Sequence, residues 1–301
     1  MELNDYQRRA NRTDQRPLGS YDGETDRERA LVFPLAGLSS EVGSLLNQYK
    51  KYIRDGDAHP LFSQRVKEEL GDILWYVANL ARKLDFDLEE VATLNLSRIA
   101  ERWPEPGTEK LPTLLDDEYP PAEQFPRQLT ISFEEREIEG RFKMVMVDAG
   151  KPLGSPLIDM NRDPDGYRFH DVFHLTYAAM LGWSPLLRDL LERKRDSDPG
   201  FREVEDSGRA IFVEEGLAAY LFSVAKDNNF YAGVEQVDSE VLRVVKNIVS
   251  HLEVRSRTTA QWQRTILRSF EVWRSLKANN GGTTRLDLIE RTIEYEPPSA
   301  D

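Results

Sequence analysis

A proline-rich segment at residues 105–125 divides this chain of 301 residues into two parts with different hydrophobic patterns. Its prolines are Pro106, Pro112, Pro120 and Pro121. A helix does not continue through such a segment, because proline lacks the backbone N–H group and clashes with the preceding turn. The length is sufficient for two domains with separate cores. We therefore predict a helical bundle over residues 1–105, a linker or extended wrapping segment over residues 106–126, and an α+β domain over residues 127–301.

The first part has the pattern of an all-α bundle, because its apolar residues recur at helical spacing. Predicted helices span residues 3–11, 27–54, 61–84 and 88–102. Asp55 and Gly56 form a typical helix stop, and Pro104 ends the last helix.

The second part contains both segments with helical spacing of apolar residues and segments with the alternation typical of strands. Alternating β-branched and aromatic residues predict two small hairpins, one over 128–133 and 141–147 and one over 285–289 and 292–296. Helices are predicted over residues 166–182, 207–226, 238–252 and 257–278. The expected fold class is thus mainly α, with an N-terminal all-α bundle and a C-terminal α+β domain whose helical body carries small hairpins.

Two acidic clusters in the first part are the main functional signal. Glu41 lies in one predicted helix, and Glu68, Glu69 and Asp72 lie in the next. Glu69 and Asp72 share a helix face because they are three residues apart. Carboxylates next to apolar residues repel one another and lose hydration, and a hard cation such as Mg²⁺ removes that cost. The alternative is a solvated acidic face, which arises easily in a chain with 53 acidic residues.

These clusters resemble the MazG-like, all-α nucleoside triphosphate pyrophosphohydrolase superfamily. Its signature is Glu-x-x-Glu on one helix and Glu-x-x-Asp on an antiparallel neighbour. This chain has Glu41-Val-Gly-Ser44 and Glu69-Leu-Gly-Asp72. Residues 85–91 and 95–104 resemble the helix that follows in the family, and the likeness covers about residues 1–105.

The resemblance implies Mg²⁺-dependent release of pyrophosphate and a nucleoside monophosphate from a nucleoside triphosphate, with Mn²⁺ as an alternative ion. Glu41, Glu69 and Asp72 would hold the metal. Glu41 or Glu68 would orient or deprotonate the attacking water. The family builds its sites from paired bundles, which implies a homodimer, unless the second domain supplies the other half.

Ser44 departs from the signature, because it stands where the family has a second acid. A hydroxyl can still ligate Mg²⁺ or hold one of its waters, but it brings no negative charge. Three interpretations stay open: weaker metal binding, replacement by Glu68 or another carboxylate, or loss of turnover. The last would make the chain a nucleotide sensor, with the second domain as an effector. A purely structural helical adaptor is a third functional class.

Several residues near the acidic clusters are candidates for substrate contacts. Lys50, Lys51 and Arg54 lie within about one helical turn and could neutralise phosphate charge. The alternative is a basic face in contact with solvent. Tyr76 lies next to the acidic cluster and could contact a nucleobase, although aromatic residues at helical positions more often belong to a core. The resemblance assigns Asn95 to the triphosphate.

The second part has its own candidate metal site. His170 and His174 are four residues apart and therefore share a helix face. Two imidazoles with Glu214 or Glu215 would form a His-His-carboxylate set for a divalent transition metal. The alternative is a structural role, since histidines in helices often pack or donate to a neighbouring carbonyl.

Two further interpretations concern the surroundings of these histidines. The string His170-Asp171-x-x-His174 resembles the metal-binding core of HD-domain phosphohydrolases, without their upstream His and downstream Asp. Residues 213–225 resemble residues 67–78, as a diverged internal repeat would. In that case Asp171 and His174 would occupy the positions of Glu41 and Ser44.

Composition excludes several classes of function. A net charge of −13 and a pI near 5.0 oppose general affinity for nucleic acid polymers and anionic membranes. We expect a cytoplasmic protein, because no secretory leader and no long uninterrupted apolar run is evident. The chain has no cysteine, so any metal must be bound by Asp, Glu, His or neutral oxygen.

Overall fold

The computed structural model describes residues 1–15, 24–59, 61–105, 111–159 and 164–298, with the side chains of residues 24–29 and of residue 57 left out. The chain forms two compact units, Met1–Ala100 and Glu101–Asp301. We describe each unit separately.

Helices make up the N-terminal unit. They are α1 (Leu3–Asn11), α2 (Glu24–Asp55), α3 (Phe62–Lys83) and α4 (Leu88–Arg102). A short 3₁₀ turn, Gly56–Ala58, follows α2, and α2 packs along α3. The described helices lie within a few residues of their predicted positions, because each is amphipathic and ends at a clear stop signal.

Side-chain amides fix α1 to the turn between α3 and α4. Gln7 donates to the carbonyl oxygen of Phe86 at 3.0 Å and accepts from the backbone N–H of Leu88 at 3.3 Å. Asn4 donates to Asp87 at 2.9 Å. The core beside this contact is small and includes Ala10, Ala78, Ala81 and Leu88.

Many apolar side chains of the N-terminal unit stay exposed. A stripe on α2 consists of Val42, Leu46, Tyr49 and Ile53, and Leu94 and Leu96 are exposed on α4. The segment Ala30–Asp55 is also long and apolar enough to cross a bilayer, judged by length and composition alone. One such helix near the N-terminus is weak evidence for a membrane span, since soluble core helices and signal sequences meet the same criterion.

The C-terminal unit contains an antiparallel sheet. Its described strands are β1 (Gln128–Ile138), β2 (Arg141–Asp148), β3 (Lys151–Leu157), β4 (Gly282–Asp287) and β5 (Thr292–Glu296), in the order β3-β2-β1-β4-β5. The two predicted hairpins are not separate, because β1 pairs with β4, for example Ile131 with Thr284. Strand β3 was not predicted from the sequence, because Pro152 and Pro156 interrupt the alternating pattern of a strand. Proline is tolerated there because β3 lies at the edge.

The helical body lies beside this sheet. Its described helices are α5 (Asp171–Leu181), α6 (Pro185–Leu190), α7 (Pro199–Glu205), α8 (Gly208–Lys226), α9 (Ser239–Ile248) and α10 (Thr259–Ala278). The short helices α6 and α7 were not predicted, because six or seven residues give too little periodicity to detect. Helix α5 is buried almost all round and packs against α10.

Buried ion pairs connect the proline-rich segment and the loops of this unit. Arg195 pairs with Asp206 and, at 2.7 Å, with Glu253. Arg188 pairs with Asp116 at 3.0 Å. Asp116 lies in the segment that the sequence presents as a linker or wrapping element, and its carboxylate also accepts from the N–H of Phe125 at 2.8 Å. Residues 111–126 therefore contribute buried groups to the C-terminal unit.

Replacing Gly281 by alanine tests the close approach of the last hairpin to β1. Gly281 has φ of +136°, and a Cβ atom there would lie 2.4 Å from the carbonyl oxygen of Phe133. We expect Gly281→Ala to lower the free energy of unfolding by about 2 kcal/mol or more, through backbone strain and steric overlap. Chemical denaturation of the full chain measures the change.

The matched control is Gly208→Ala at the start of α8, where an added Cβ meets nothing within 4 Å. Its effect should stay within about 0.5 kcal/mol. Equal effects of the two substitutions would contradict the steric argument.

Candidate functional site

Helices α2 and α3 bring three carboxylates together. Oxygen atoms of Glu41, Glu69 and Asp72 all lie within 4.8 Å of one another. Glu41 and Glu69 are partly buried, whereas Asp72 is exposed. The lateral packing of α2 and α3 joins residues that are 28 or more positions apart in sequence. We refer to these three residues as the acidic cluster.

Three acidic side chains lie close together in the acidic cluster. Partial burial and the charges of Asp72 and Glu69 raise the pKa of Glu41 above its ordinary value. The charged form of Glu41 is therefore less favourable in this cluster than in water. A cation bound among them would remove this repulsion.

Gln48 orients the acidic cluster, and sequence reasoning missed it. Its buried side chain donates from Nε2 to Oε1 of Glu69 at 3.2 Å, and its Oε1 lies 3.2 Å from Nε2 of His59. Glu41, Ser44 and Gln48 are spaced by three and four residues, so they share one face of α2. That spacing was the available signal. Ser44 is partly buried, and its role as a metal ligand stays a prediction.

Glu68 lies outside the acidic cluster. Its carboxylate accepts from Nη1 of Arg65 at 2.9 Å and from Nε2 of Gln64 at 3.0 Å. These hydrogen bonds hold the pKa of Glu68 below its usual value. Adjacent helical residues point about 100° apart, and Glu68 is directed toward Arg65 and Gln64 rather than toward the acidic cluster.

The candidate substrate contacts occupy different environments. Lys50, Arg54 and Asn95 are exposed and Lys51 is partly buried. Arg54 forms a two-point ion pair with Asp55, with both N–O distances 2.6 Å. Their contacts with phosphate stay predictions.

Tyr76 packs against α2. A Cβ atom at Gly37 would lie 2.2 Å from Cε1 of Tyr76, so the ring depends on this glycine for its position. The contact is part of the packing between α2 and α3. A contact of Tyr76 with a nucleobase stays a prediction.

A second cluster lies between α5 and α8. Ligand atoms of His170, His174 and Glu215 all lie within 4.8 Å of one another. Nε2 of each histidine is 3.6 Å from Oε2 of Glu215. We refer to these three residues as the histidine cluster. Both histidines are buried, and Glu215 is partly exposed.

Glu214 contacts His174 at Nδ1, the ring nitrogen that does not face Glu215. Its Oε1 lies 2.9 Å from Nδ1 of His174 and accepts from Oγ of Ser184 at 2.6 Å. Its Oε2 accepts from the N–H of Leu186 at 2.8 Å. The two neighbouring glutamates thus have different positions, because Glu215 faces Nε2 of the histidines and Glu214 holds Nδ1 of His174.

Charges around the histidines are strongly coupled. Burial disfavours a charged imidazole, but the carboxylates of Glu214 and Glu215 outweigh it and raise the pKa of His174 to about 10. The two imidazoles hold the pKa of Glu215 well below its ordinary range. Burial raises the pKa of Asp171, which lies at the start of α5.

Comparison with known families accounts for both units. Residues 35–106 match the MazG nucleotide pyrophosphohydrolase domain, and residues 110–299 match the MazG C-terminal domain. The second match alone covers more than half of the chain. The chain belongs to the MazG family. This confirms the resemblance found in the first third of the sequence and assigns the second unit, which the sequence analysis did not recognise.

MazG membership places the chain among nucleotide pyrophosphohydrolases, a family that generally depends on a divalent metal. The Gene 37 protein of Mycobacterium phage L5 is 38% identical over 82 residues, which is 27% of this chain and 72% of that protein. No solved structure matches the chain.

Substitution of Asp72 tests the repulsion within the acidic cluster. In the presence of a chelator, Asp72→Asn should raise the thermal unfolding midpoint, because it removes one of three repelling charges. A gain of about 0.5–1 kcal/mol is the expected scale for charges at this separation in water. Added Mg²⁺ should then stabilise the wild type more than Asp72→Asn. Scanning calorimetry with and without Mg²⁺ measures both effects.

Glu68→Gln is the matched control. It removes a carboxylate from the same helix, but one that is paired with Arg65 outside the cluster. It should gain no stability in chelator and should keep the response to Mg²⁺. An identical response of the two variants would show that the acidic cluster is not a centre of repulsion.

Proposed function

We propose that the chain is a Mg²⁺-dependent nucleoside triphosphate pyrophosphohydrolase that releases a nucleoside monophosphate and pyrophosphate. The observation that carries the proposal is the convergence of Glu41, Glu69 and Asp72 between α2 and α3, inside the MazG nucleotide pyrophosphohydrolase domain. The donors are all carboxylate oxygens, the ligands that Mg²⁺ prefers, and Mn²⁺ accepts the same set.

The residues present fit such an ion. Mg²⁺ commonly keeps several waters and uses substrate phosphates as ligands, so three carboxylates suffice without an acid at Ser44. When bound, the metal neutralises phosphate charge and makes water more acidic. Gln48 keeps Glu69 in place through its hydrogen bond.

Glu41 is the preferred candidate for the general base. The sequence left Glu41 and Glu68 as alternatives, but Glu68 is paired with Arg65 and Gln64 away from the cluster. A carboxylate oxygen of Glu41 would accept the proton of the water that attacks near the α-phosphate. Pyrophosphate is then the leaving group, and the proton passes from Glu41 to solvent. Lys50, Lys51, Arg54 and Asn95 would hold the triphosphate.

A nucleotide sensor is the second candidate function. Ser44 favours it, because the serine removes one negative charge from the family signature. A sensor would bind metal and nucleotide but hydrolyse slowly, with the C-terminal unit as the effector.

We further propose that two copies pair through the α2 stripe of Val42, Leu46, Tyr49 and Ile53. Its spacing forms one continuous helical face, with Leu46 66% and Ile53 81% exposed. A single copy leaves this apolar face in water, and a second copy would bury it.

We expect this acidic, cysteine-free enzyme in the cytoplasm.

A pyrophosphate-release assay tests the catalytic proposal. Canonical and modified ribo- and deoxyribonucleoside triphosphates are screened with Mg²⁺ or Mn²⁺. Glu69→Gln should lower the rate roughly 100-fold or more, since it removes a metal ligand. Glu68→Gln should stay within about threefold, because Glu68 contacts neither the cluster nor its supports. A rate that Glu69→Gln leaves unchanged would assign the activity elsewhere.

Ser44→Glu separates the enzyme from the sensor. The enzyme predicts pyrophosphate release by the wild type, with a change after Ser44→Glu that reflects metal affinity. The sensor predicts Mg²⁺-dependent nucleotide binding by calorimetry, no turnover in the wild type, and turnover only after the substitution. Absence of any Mg²⁺-dependent nucleotide binding would exclude both and support a structural adaptor.

Light scattering tests the pairing of two copies. The wild type should have twice the chain mass of 34.7 kDa, and Leu46→Glu with Ile53→Glu should yield the single-chain mass. Phe212→Glu is the control, since Phe212 is a 76% exposed aromatic residue outside α2. A wild type that is already monomeric, or a double variant that stays dimeric, would contradict pairing through α2.

A further inference from the structure

The histidine cluster has the spacing of ligands around a metal ion. Nε2 of His170 and Nε2 of His174 each lie 3.6 Å from the same oxygen of Glu215. This distance exceeds the usual N–H···O range of about 2.7–3.2 Å. Ligands bound tetrahedrally at zinc-like distances are roughly 3.3–3.5 Å apart. The three atoms therefore need only a small inward shift to share one ion.

The burial of the Nε2 atom of His174 adds to this evidence. His174 is 2% exposed, and its Nε2 has no hydrogen-bond partner among the described residues. A buried polar atom without a partner is unfavourable, and protein interiors rarely retain one without a reason. This atom points toward Glu215, where an ion would be its partner.

Both imidazoles are oriented from behind, as metal-binding histidines are. Nδ1 of His174 donates to the Glu214 carboxylate at 2.9 Å, and Nδ1 of His170 donates to the carbonyl oxygen of Tyr167 at 2.9 Å. The phenol ring of Tyr167 also stacks on His170, with 4.2 Å between ring centroids. Donation from Nδ1 leaves Nε2 as the ligating atom.

We propose that the C-terminal unit binds one divalent transition-metal ion of the zinc class through Nε2 of His170, Nε2 of His174 and the carboxylate of Glu215. Two imidazoles with one carboxylate favour Zn²⁺, Co²⁺ or Fe²⁺ over Mg²⁺. The proposal is separate from the proposed function of the acidic cluster, which lies in the other unit and offers oxygen ligands alone.

The ion would retain an open coordination position. Structural zinc sites are closed by four protein ligands, whereas sites with two histidines and one acid keep a position for water or a ligand. The Glu215 side chain is 40% exposed, so solvent reaches that side. Asp171 stands beside the site, with Oδ1 3.7 Å from Nε2 of His170.

Cobalt spectroscopy on the full chain tests this site. The protein is stripped with a chelator and titrated with Co²⁺, and the visible absorption is recorded. We expect a strong band at one equivalent, since imidazole ligation in a low-coordinate site gives intense absorption and an all-oxygen, six-coordinate site gives a weak one. Zn²⁺ should abolish the band by displacing Co²⁺.

Substitutions locate the ligands. Glu215→Gln and His174→Ala should weaken Co²⁺ binding by about 100-fold or more, and Glu214→Gln by about 10–100-fold because it removes the support of a ligand. His251→Ala is the matched control, because His251 is exposed and should leave the band unchanged. Glu69→Gln should also leave it unchanged, which separates this site from the acidic cluster.

Circular dichroism of each variant controls for folding. If His174→Ala unfolds the chain, the cobalt titration of Glu215→Gln tests the site instead. This variant should stay folded, since Glu215 is partly exposed and makes no hydrogen bond shorter than 3.5 Å to either histidine. A wild type with no intense cobalt band, or a band that survives Glu215→Gln, would overturn the proposal. The cluster would then be a network of charged histidines and carboxylates.

Discussion

Negative charges that lie close together in a fold must be neutralised, and this requirement bears on both units. In the C-terminal unit the chain supplies its own cations, since buried Arg195 and Arg188 pair with Asp206 and Asp116. At the acidic cluster, by contrast, the side chain that donates to Glu69 is the neutral amide of Gln48. The buried arginine–aspartate pairs neutralise their charges within the fold, whereas the carboxylates of the acidic cluster are suited to bind a cation from solution.

The two clusters differ in the chemistry of their ligands. Carboxylates between α2 and α3 suit a hard ion, whereas the imidazoles on α5 suit a transition metal. Their supports differ as well. Glu69 is held by one amide beside exposed helix faces, while His174 sits in a largely buried helix and is held by Glu214. This MazG chain thus combines a partly exposed cluster of carboxylates in one unit with a mostly buried histidine cluster in the other.

Much of the candidate site was predictable from local periodicity. Glu69 and Asp72 share a face because they are three residues apart, and the same reasoning pairs His170 with His174. The prediction that Glu41 lies next to the acidic residues of α3 came from the family resemblance. Periodicity did not separate Glu68 from Glu69, and the structure places Glu68 beside Arg65 and Gln64, outside the acidic cluster. Strand β3 and helices α6 and α7 escaped prediction because prolines or short length left no clear period.

The sequence by itself determined the positions of the longer helices, the acidic and histidine motifs and the membership in the MazG family, because these depend on the order of neighbouring residues. The tertiary structure alone decided that the predicted hairpins form one sheet through β1 and β4. It also decided that Gln48 holds Glu69, and that Glu215 faces Nε2 of both histidines while Glu214 contacts Nδ1 of His174. Such pairings join residues far apart in the chain or choose between neighbours, and only packed helices and strands set those distances.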